Sequence, residues 1–102
     1  MKLKARWSLE ALDEFEEIYE YWIKRNKSNT YLRKLWNLTN KAIQIIEIDP
    51  MLGIQTNQEN VRMRLIANNY YLIYKIGQDY LEILKFWDVR QNPSKNEFIY
   101  GR

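Results

Sequence analysis

Four cationic residues in the second half of the chain could stabilise the charge of a phosphate group. They are Arg62, Arg64, Arg90 and Lys95. Cleavage of RNA by its own 2′-hydroxyl needs such cations, together with a base for that hydroxyl and an acid for the leaving oxygen. Groups that could transfer the proton are Glu59, Asp88, Lys95 and Tyr100. None of them titrates near neutral pH as histidine does, and the sequence has no histidine, so the set is incomplete for RNA cleavage.

A second group of cations could form a binding surface rather than a reactive site. Lys2, Lys4 and Arg6 alternate with apolar residues and share one face of a predicted strand, as Arg62 and Arg64 share a face of another. If the two strand faces coincide, all five cations line the side of the sheet away from the helices. Aromatic residues that could stack on bases accompany them: Tyr70, Tyr71, Tyr74, Tyr80 and Trp87. This pattern is typical of single-stranded RNA recognition, but charged edge strands and buried tyrosines also occur for structural reasons alone.

Composition excludes several other kinds of site. The chain has no cysteine and no histidine, which removes disulfide and thiolate chemistry and argues against zinc. Gly53 has no accompanying glycines and no Lys-Ser or Lys-Thr pair, so a phosphate-binding loop is excluded. We expect no metal and no cofactor. The amino terminus lacks an apolar segment of signal-peptide length, so we also expect a cytoplasmic protein without a membrane partner.

Charge is strongly segregated along the chain. Residues 10–20 contain six acidic residues and no basic one, so the remainder of this +3 chain carries +9. A basic surface of that size could attract nucleic acid or an acidic partner. The acidic run also has a structural explanation, because acids early in a helix and bases late in it match the helix dipole.

Hydrophobic periodicity predicts a strand followed by two helices. Residues 2–7 alternate in polarity, as expected of a strand with one buried face. Ser8 can cap the helix that follows, in which apolar residues recur every three or four positions. After a polar break at 26–30 the same spacing continues, until Asp49-Pro50 ends the second helix. The short connection between them predicts an antiparallel helical hairpin.

The second half changes to the alternating pattern of strands. Residues 50–59 indicate a surface loop, and strands then begin at Val61, Tyr70 and Tyr80. The turns between these strands contain Ala67-Asn68-Asn69 and Gly77-Gln78-Asp79. The predicted order is β-α-α-β-β-β, one α+β domain of residues 1–102 whose helical hairpin covers one face of an antiparallel sheet. The place of the first strand in that sheet is left open.

Several segments, taken together and in this order, resemble the RelE/ParE superfamily of bacterial toxins. The resemblance covers residues 2 to about 95. The matching segments are YWIKR at 21–25, IDPMLG at 48–53, VR at 61–62, YLIYKI at 71–76 and FWDVRQNP at 86–93. The resemblance implies the toxin half of a type II toxin–antitoxin system, often described as a plasmid stabilisation protein. It also implies a hetero-oligomer with a cognate antitoxin, which wraps such toxins with a helix and an extended segment.

The superfamily divides by activity, and the resemblance implies two alternatives. RelE-like members cleave mRNA on the ribosome, whereas ParE-like members poison DNA gyrase without a nuclease site. The RelE-like pattern has an arginine in the middle strand, where this chain has Tyr71, and an arginine after the last strand, which Arg90 matches. It often has a His or Tyr near the carboxyl terminus, and Tyr100 lies farther from Arg90 than that pattern places it. The incomplete match favours a ParE-like toxin. The alternative is a RelE-like mRNA interferase that uses the four cations named first.

For the ParE-like alternative we expect the cationic strand and the last strand to contact the target or the antitoxin. The residues concerned are Lys2, Lys4, Arg6, Tyr71, Trp87 and Asp88. Phe86 and Trp87 are expected to anchor the last strand to the core or to a partner. Asp88 and Arg90 are expected to pair with each other and to shape the turn before Pro93.

Overall fold

In a computed structural model, the chain forms two helices that pack on one face of a five-stranded sheet. The structure describes residues 2–26, 29–91 and 95–98. Its helices and strands are β1 (Lys4–Trp7), α1 (Leu9–Asn26), α2 (Thr30–Ile48), β2 (Ile54–Gln55), β3 (Val61–Ile66), β4 (Tyr70–Ile76) and β5 (Tyr80–Asp88). A 3₁₀ turn at Pro50–Leu52 lies between α2 and β2. Neither helix of the described ranges is long and apolar enough to cross a lipid bilayer.

The strands lie in the order β1-β5-β4-β3-β2. Strands β3, β4 and β5 form the predicted antiparallel meander, but β1 pairs with β5 in parallel. The predicted α+β fold and its antiparallel meander are confirmed, and the parallel pairing of β1, whose place the sequence left open, makes the sheet mixed rather than antiparallel throughout. Parallel pairing requires a long crossover connection, and the two helices between β1 and the meander supply one. The sequence also missed β2, because a strand of only two residues is too short to show alternation.

The helical hairpin forms as predicted. The Ser8 Oγ accepts a hydrogen bond at 3.1 Å from the backbone N–H three residues later, which satisfies a free amide at the start of α1. Aromatic rings fill the space between the helices. Phe15 lies 5.3 Å from Trp36 between ring centroids, and Trp22 lies 4.8 Å from Tyr31. Since later residues of α1 meet earlier residues of α2, the helices are antiparallel.

Both faces of the central strands are covered. The helix-side cluster contains strand residues Ile66, Tyr70, Leu72, Tyr74, Leu81, Ile83 and Phe86, with helix residues Ala11, Leu35, Ala42, Ile43 and Ile46. The far-side cluster contains Val61, Ile73, Trp87 and Phe98. Each face of β4 and β5 packs in one of these two clusters, so the strands are apolar at most positions. Their pattern alone could not show which side faces the helices.

A nearly buried lysine holds the start of α1 on β5. The Lys85 ammonium group lies 2.8 Å from a carboxylate oxygen of Glu10 and 3.1 Å from one of Glu14, and the Lys85 side chain is 11% exposed. Glu14 also accepts a hydrogen bond at 3.0 Å from the backbone N–H of Phe86. Burial alone would lower the pKa of Lys85, but the hydrogen bonds and charges of Glu10 and Glu14 outweigh it and raise that pKa. Two acids of the 10–20 run therefore have a specific structural partner.

A second polar contact holds the 3₁₀ turn against the sheet. The buried hydroxyl of Tyr74 donates to the Pro50 carbonyl oxygen at 2.5 Å and accepts from the Gly53 N–H at 3.0 Å. A Cβ atom on Gly53 would lie 2.3 Å from the Tyr74 hydroxyl oxygen, so this close approach requires glycine. Burial raises the pKa of Tyr74, so the phenol keeps its proton and both hydrogen bonds at neutral pH.

We expect Lys85→Met to destabilise the fold, because it leaves Glu10 and Glu14 without their cation. The free energy of unfolding in urea should fall by about 2 kcal/mol. Adding Glu14→Gln should recover part of that loss, because the amide removes one uncompensated charge and keeps an oxygen for the Phe86 N–H. If Lys85→Met alone is as stable as the wild type, the contact of Lys85 with Glu10 and Glu14 does not stabilise the fold.

Tyr74→Phe should also destabilise the fold, because the Pro50 carbonyl and the Gly53 N–H lose their hydrogen-bond partner. The expected loss is about 1–3 kcal/mol in urea unfolding. Tyr80→Phe is the matched control, since the Tyr80 ring is half-buried beneath Arg6 and its loss of a hydroxyl should cost less than about 0.5 kcal/mol. Equal losses in the two variants would show that the Tyr74 hydrogen bonds contribute nothing specific.

Candidate functional site

The middle of α1 and the end of β5 enclose a pocket of about 340 Å³. It is lined by Glu17, Ile18, Tyr21, Trp22, Tyr70, Asp88, Arg90 and Gln91. The Trp22 indole N–H donates to the Tyr70 hydroxyl at 2.9 Å. Burial raises the pKa of Tyr70, so this phenol keeps its proton at neutral pH.

Arg90, at the rim of this pocket, is bound by Asp88. One Asp88 oxygen accepts from the Arg90 backbone N–H at 2.9 Å and from Nε at 3.0 Å, and the other accepts from Nη2 at 2.7 Å. These hydrogen bonds lower the pKa of Asp88 and raise the pKa of Arg90. The expected pair is therefore present. The Arg90 side chain is 57% exposed, so solvent screens the pair and one side of the guanidinium stays accessible.

Arg62 and Arg64 lie on the helix side of the sheet. In the β3–β4 ladder they pair with Tyr74 and Leu72, whose side chains belong to the helix-side cluster. The condition that these arginines share a face with the β1 cations is therefore not met. Alternation shows that two residues share a face, but only the pairing with β4 decides which face that is.

The Arg62 guanidinium also has a structural partner. Its Nη1 donates to the carbonyl oxygens of Gly53 at 2.8 Å and Met51 at 3.2 Å, which ties the 3₁₀ turn and the residue before β2 to β3. Arg64 is half-buried, and its charge lies near the Tyr74 phenol. Both arginines therefore lie near Tyr74 on the helix side of the sheet. They do not contribute to a cationic surface on its far side.

The β1 cations lie on the far side of the sheet. Ala5 and Trp7 pack against the helix-side cluster, so Lys4 and Arg6 point the other way, and both are exposed. The Arg6 guanidinium lies 4.3 Å from the centroid of the Tyr80 ring, within range of a cation–π interaction. Lys2 is exposed at the start of the same segment.

Tyr71 and Trp87 are placed beneath the surface rather than on it. They face each other across the β4–β5 ladder and belong to the far side, where Trp87 is 5% exposed in the cluster that contains Phe98. Tyr71 is half-buried against that cluster. The Lys85 ammonium group lies 5.8 Å from the Trp87 ring centroid. The two rings therefore form part of the far face, with Trp87 buried and Tyr71 half-buried.

The four cations considered for RNA cleavage are not gathered at one point. Arg62 pairs with Tyr74, and Arg90 lines the pocket beside Tyr70, which is four positions away on β4 or about 13 Å along the strand. Lys95 is exposed in the carboxyl-terminal segment. Arg62 and Arg64 therefore lie near Tyr74, whereas Arg90 lies near Tyr70 at the other end of β4.

The proton-transfer candidates are equally dispersed. Glu59 is exposed in the loop before β3, and Asp88 is engaged by Arg90. Tyr100 lies outside the described residues, as do residues 92–93 of the last motif. Within the described ranges, no cluster of three or more His, Cys, Asp or Glu side chains could hold a metal ion.

The sequence analysis did not single out two carboxylates, those of Glu14 and Glu47, which hold the helices against the sheet. Glu14 binds Lys85 and β5, as described above, and nearly buried Glu47 accepts a hydrogen bond at 2.8 Å from the backbone N–H of Ala5. The signal for the first was present in the sequence. Glu10 and Glu14 are four residues apart and so lie on one face of α1, where a single cation can meet both. Nothing in the local pattern marked Glu47, whose partner is 42 residues away.

No protein-family model matches this sequence, and no curated protein matches it. Solved structures do match the fold. A chain of the structure described as the chromosomal ParDE TA system from P. aeruginosa is 12% identical with a TM-score of 0.74, over 87% of this chain and 98% of that one. The YoeB dimer from Staphylococcus aureus is 16% identical with a TM-score of 0.59, over 85% of this chain and 97% of that one. At these identities the likeness establishes the fold alone, and the two structures share the α+β arrangement of helices on a sheet that the sequence predicted.

Proposed function

We propose that this chain is the toxin of a bacterial type II toxin–antitoxin system and acts in the ParE-like manner. It inhibits an essential target by binding to it, with DNA gyrase as the candidate target, and a cognate antitoxin neutralises it. The motifs at 21–25, 48–53 and 86–93 support this proposal, as does the fold shared with a chain of a ParDE system.

The engagement of the arginines is the observation that carries the choice between binding and cleavage. Arg62 donates to two carbonyl oxygens and Arg90 to Asp88. A nuclease that uses the 2′-hydroxyl needs a base within hydrogen-bond distance of the attacking oxygen, and no histidine or cysteine exists in the sequence to serve at neutral pH. Binding by charge and shape makes no such demand.

The target surface of this proposal is the β1 edge of the far side. Lys4 and Arg6 are exposed there, and Lys2 precedes them. Helix α2 already engages the free backbone edge of β1, since Glu47 accepts from the Ala5 N–H at 2.8 Å, so the exposed cations are what this strand offers to an acidic protein surface. Tyr71 and Trp87 support this face from beneath, and Asp88 holds Arg90 at the other end of the sheet.

A RelE-like mRNA interferase remains the second candidate. The exposed outer side of Arg90, at the rim of an aromatic pocket, favours it, since a guanidinium can bind a phosphate while aromatic rings stack on bases. In that case Arg62, Arg64, Arg90 and Lys95 would supply the positive charge. The fold shared with a YoeB structure is compatible with this candidate as well.

The ParE-like proposal predicts that the purified protein inhibits DNA supercoiling by gyrase at micromolar concentration. Lys4→Glu/Arg6→Glu should weaken inhibition by about tenfold or more, because it reverses the charge of the β1 edge. Lys24→Glu/Arg33→Glu is the matched control, since it makes the same charge change at exposed helix positions. Absence of inhibition by the wild type would exclude gyrase, and equal effects of the two double variants would exclude the β1 edge.

A further inference from the structure

Three apolar side chains are largely exposed where helix α2 ends. They are Ile48, the last residue of the helix, and Met51 and Leu52 of the 3₁₀ turn that follows. Their exposed fractions are 70%, 62% and 54%, and none of them belongs to either core cluster. We call these three residues the apolar patch. Apolar residues that are grouped at the surface, rather than scattered singly, mark contacts with another molecule.

The backbone that carries the apolar patch is ordered by contacts from the sheet and from within the turn. The Tyr74 hydroxyl and the Arg62 guanidinium bind carbonyl oxygens of the turn, as described above. Within the turn, the Asp49 Oδ1 accepts a hydrogen bond at 3.3 Å from the Met51 N–H. A surface that is ordered before it binds loses less conformational entropy on binding. The motif at 48–53 therefore presents the apolar patch in a fixed arrangement.

The apolar patch adjoins the segment that carries the β1 cations. The Glu47 carbonyl oxygen accepts a hydrogen bond at 3.2 Å from the Leu3 N–H, and the Glu47 carboxylate accepts one at 2.8 Å from the Ala5 N–H. Ile48 is the next residue, so the patch begins beside this segment. The exposed cations of the segment are Lys2, Lys4 and Arg6. Of the two acids nearby, Glu47 is engaged by the segment and Asp49 by the turn, so positive charge borders the patch on this side.

We propose that the apolar patch is the centre of the surface through which this chain binds its target, with the β1 cations as the charged border of that surface. The partner that fits is a protein with an apolar depression beside carboxylates. In protein interfaces, a few central residues supply most of the binding free energy, and charges at the border supply association rate and specificity. The inference rests on the proposed function and deepens it, since it names the apolar contact that the cations alone do not supply.

The test measures growth arrest on induced expression in a bacterial host, and inhibition of gyrase supercoiling by the purified protein. Ile48→Ser/Leu52→Ser should abolish growth arrest at equal protein level and raise the concentration for half-maximal inhibition by about tenfold or more. Leu38→Ser/Leu65→Ser is the matched control, because it makes the same changes at exposed apolar residues outside the patch and should shift that concentration by less than about threefold. Urea unfolding of both variants shows that they are folded.

Salt separates the apolar contact from the charged one. The loss caused by Ile48→Ser/Leu52→Ser should persist as salt is raised, whereas the loss caused by Lys4→Glu/Arg6→Glu should shrink, because salt screens charges and leaves apolar contacts in place. An Ile48→Ser/Leu52→Ser loss that disappears at high salt would contradict an apolar anchor.

The outcomes separate this inference from the proposed function. If Ile48→Ser/Leu52→Ser arrests growth as strongly as the control does, the inference is overturned and the toxin assignment stands. Growth arrest that depends on the patch, without inhibition of gyrase, would support the inference and exclude gyrase as the target. Self-association of the wild type that Ile48→Ser/Leu52→Ser abolishes would place a second copy on the patch and overturn the inference. A wild type that neither arrests growth nor inhibits gyrase would contradict the proposed function and the inference together.

Discussion

The arrangement of this protein depends on the ammonium group of Lys85, which lies between Glu10 and Glu14 with little access to water. A charge in that position is costly unless it is paired, so the first turns of α1 must lie where both carboxylates reach β5. The same contact holds α1 against β5, and residues of α1 line the pocket beside Arg90. Helix α1 covers β5, and helix α2 lies over β3. The exposed Lys41 of α2 lies next to the edge of β3.

Polar groups that look reactive in the sequence serve the fold or each other. Arg62 holds the 3₁₀ turn, Tyr74 holds the same turn from the sheet, and Arg90 is bound by Asp88. Catalysis needs a base and several cations within reach of one phosphate, whereas recognition of a protein needs charge and shape distributed over a surface. The exposed cations Lys4 and Arg6 of β1 fit the second requirement, which is the basis of the proposed function.

The elements could be predicted because their signals are local. Period-three and period-four spacing marked the helices, and Asn68, with a φ of 61°, marked a hairpin turn that favours such residues. The parallel place of β1 could not be predicted, because it depends on contacts between distant segments, such as that of Glu47 with Ala5. The face on which Arg62 lies could not be predicted for a related reason, since only the register of β3 with β4 decides it.

Binding to a target, and not the cutting of RNA, is the activity that we propose for this chain. The most direct measurement is primer extension on a defined mRNA carried by translating ribosomes, with purified protein added at a concentration that inhibits its target. No new mRNA ends are expected, because the sequence has no histidine to act as the base and Arg90 is bound by Asp88. Ribosome-dependent cleavage that is lost in Arg90→Ala would contradict this expectation and would establish the RelE-like alternative.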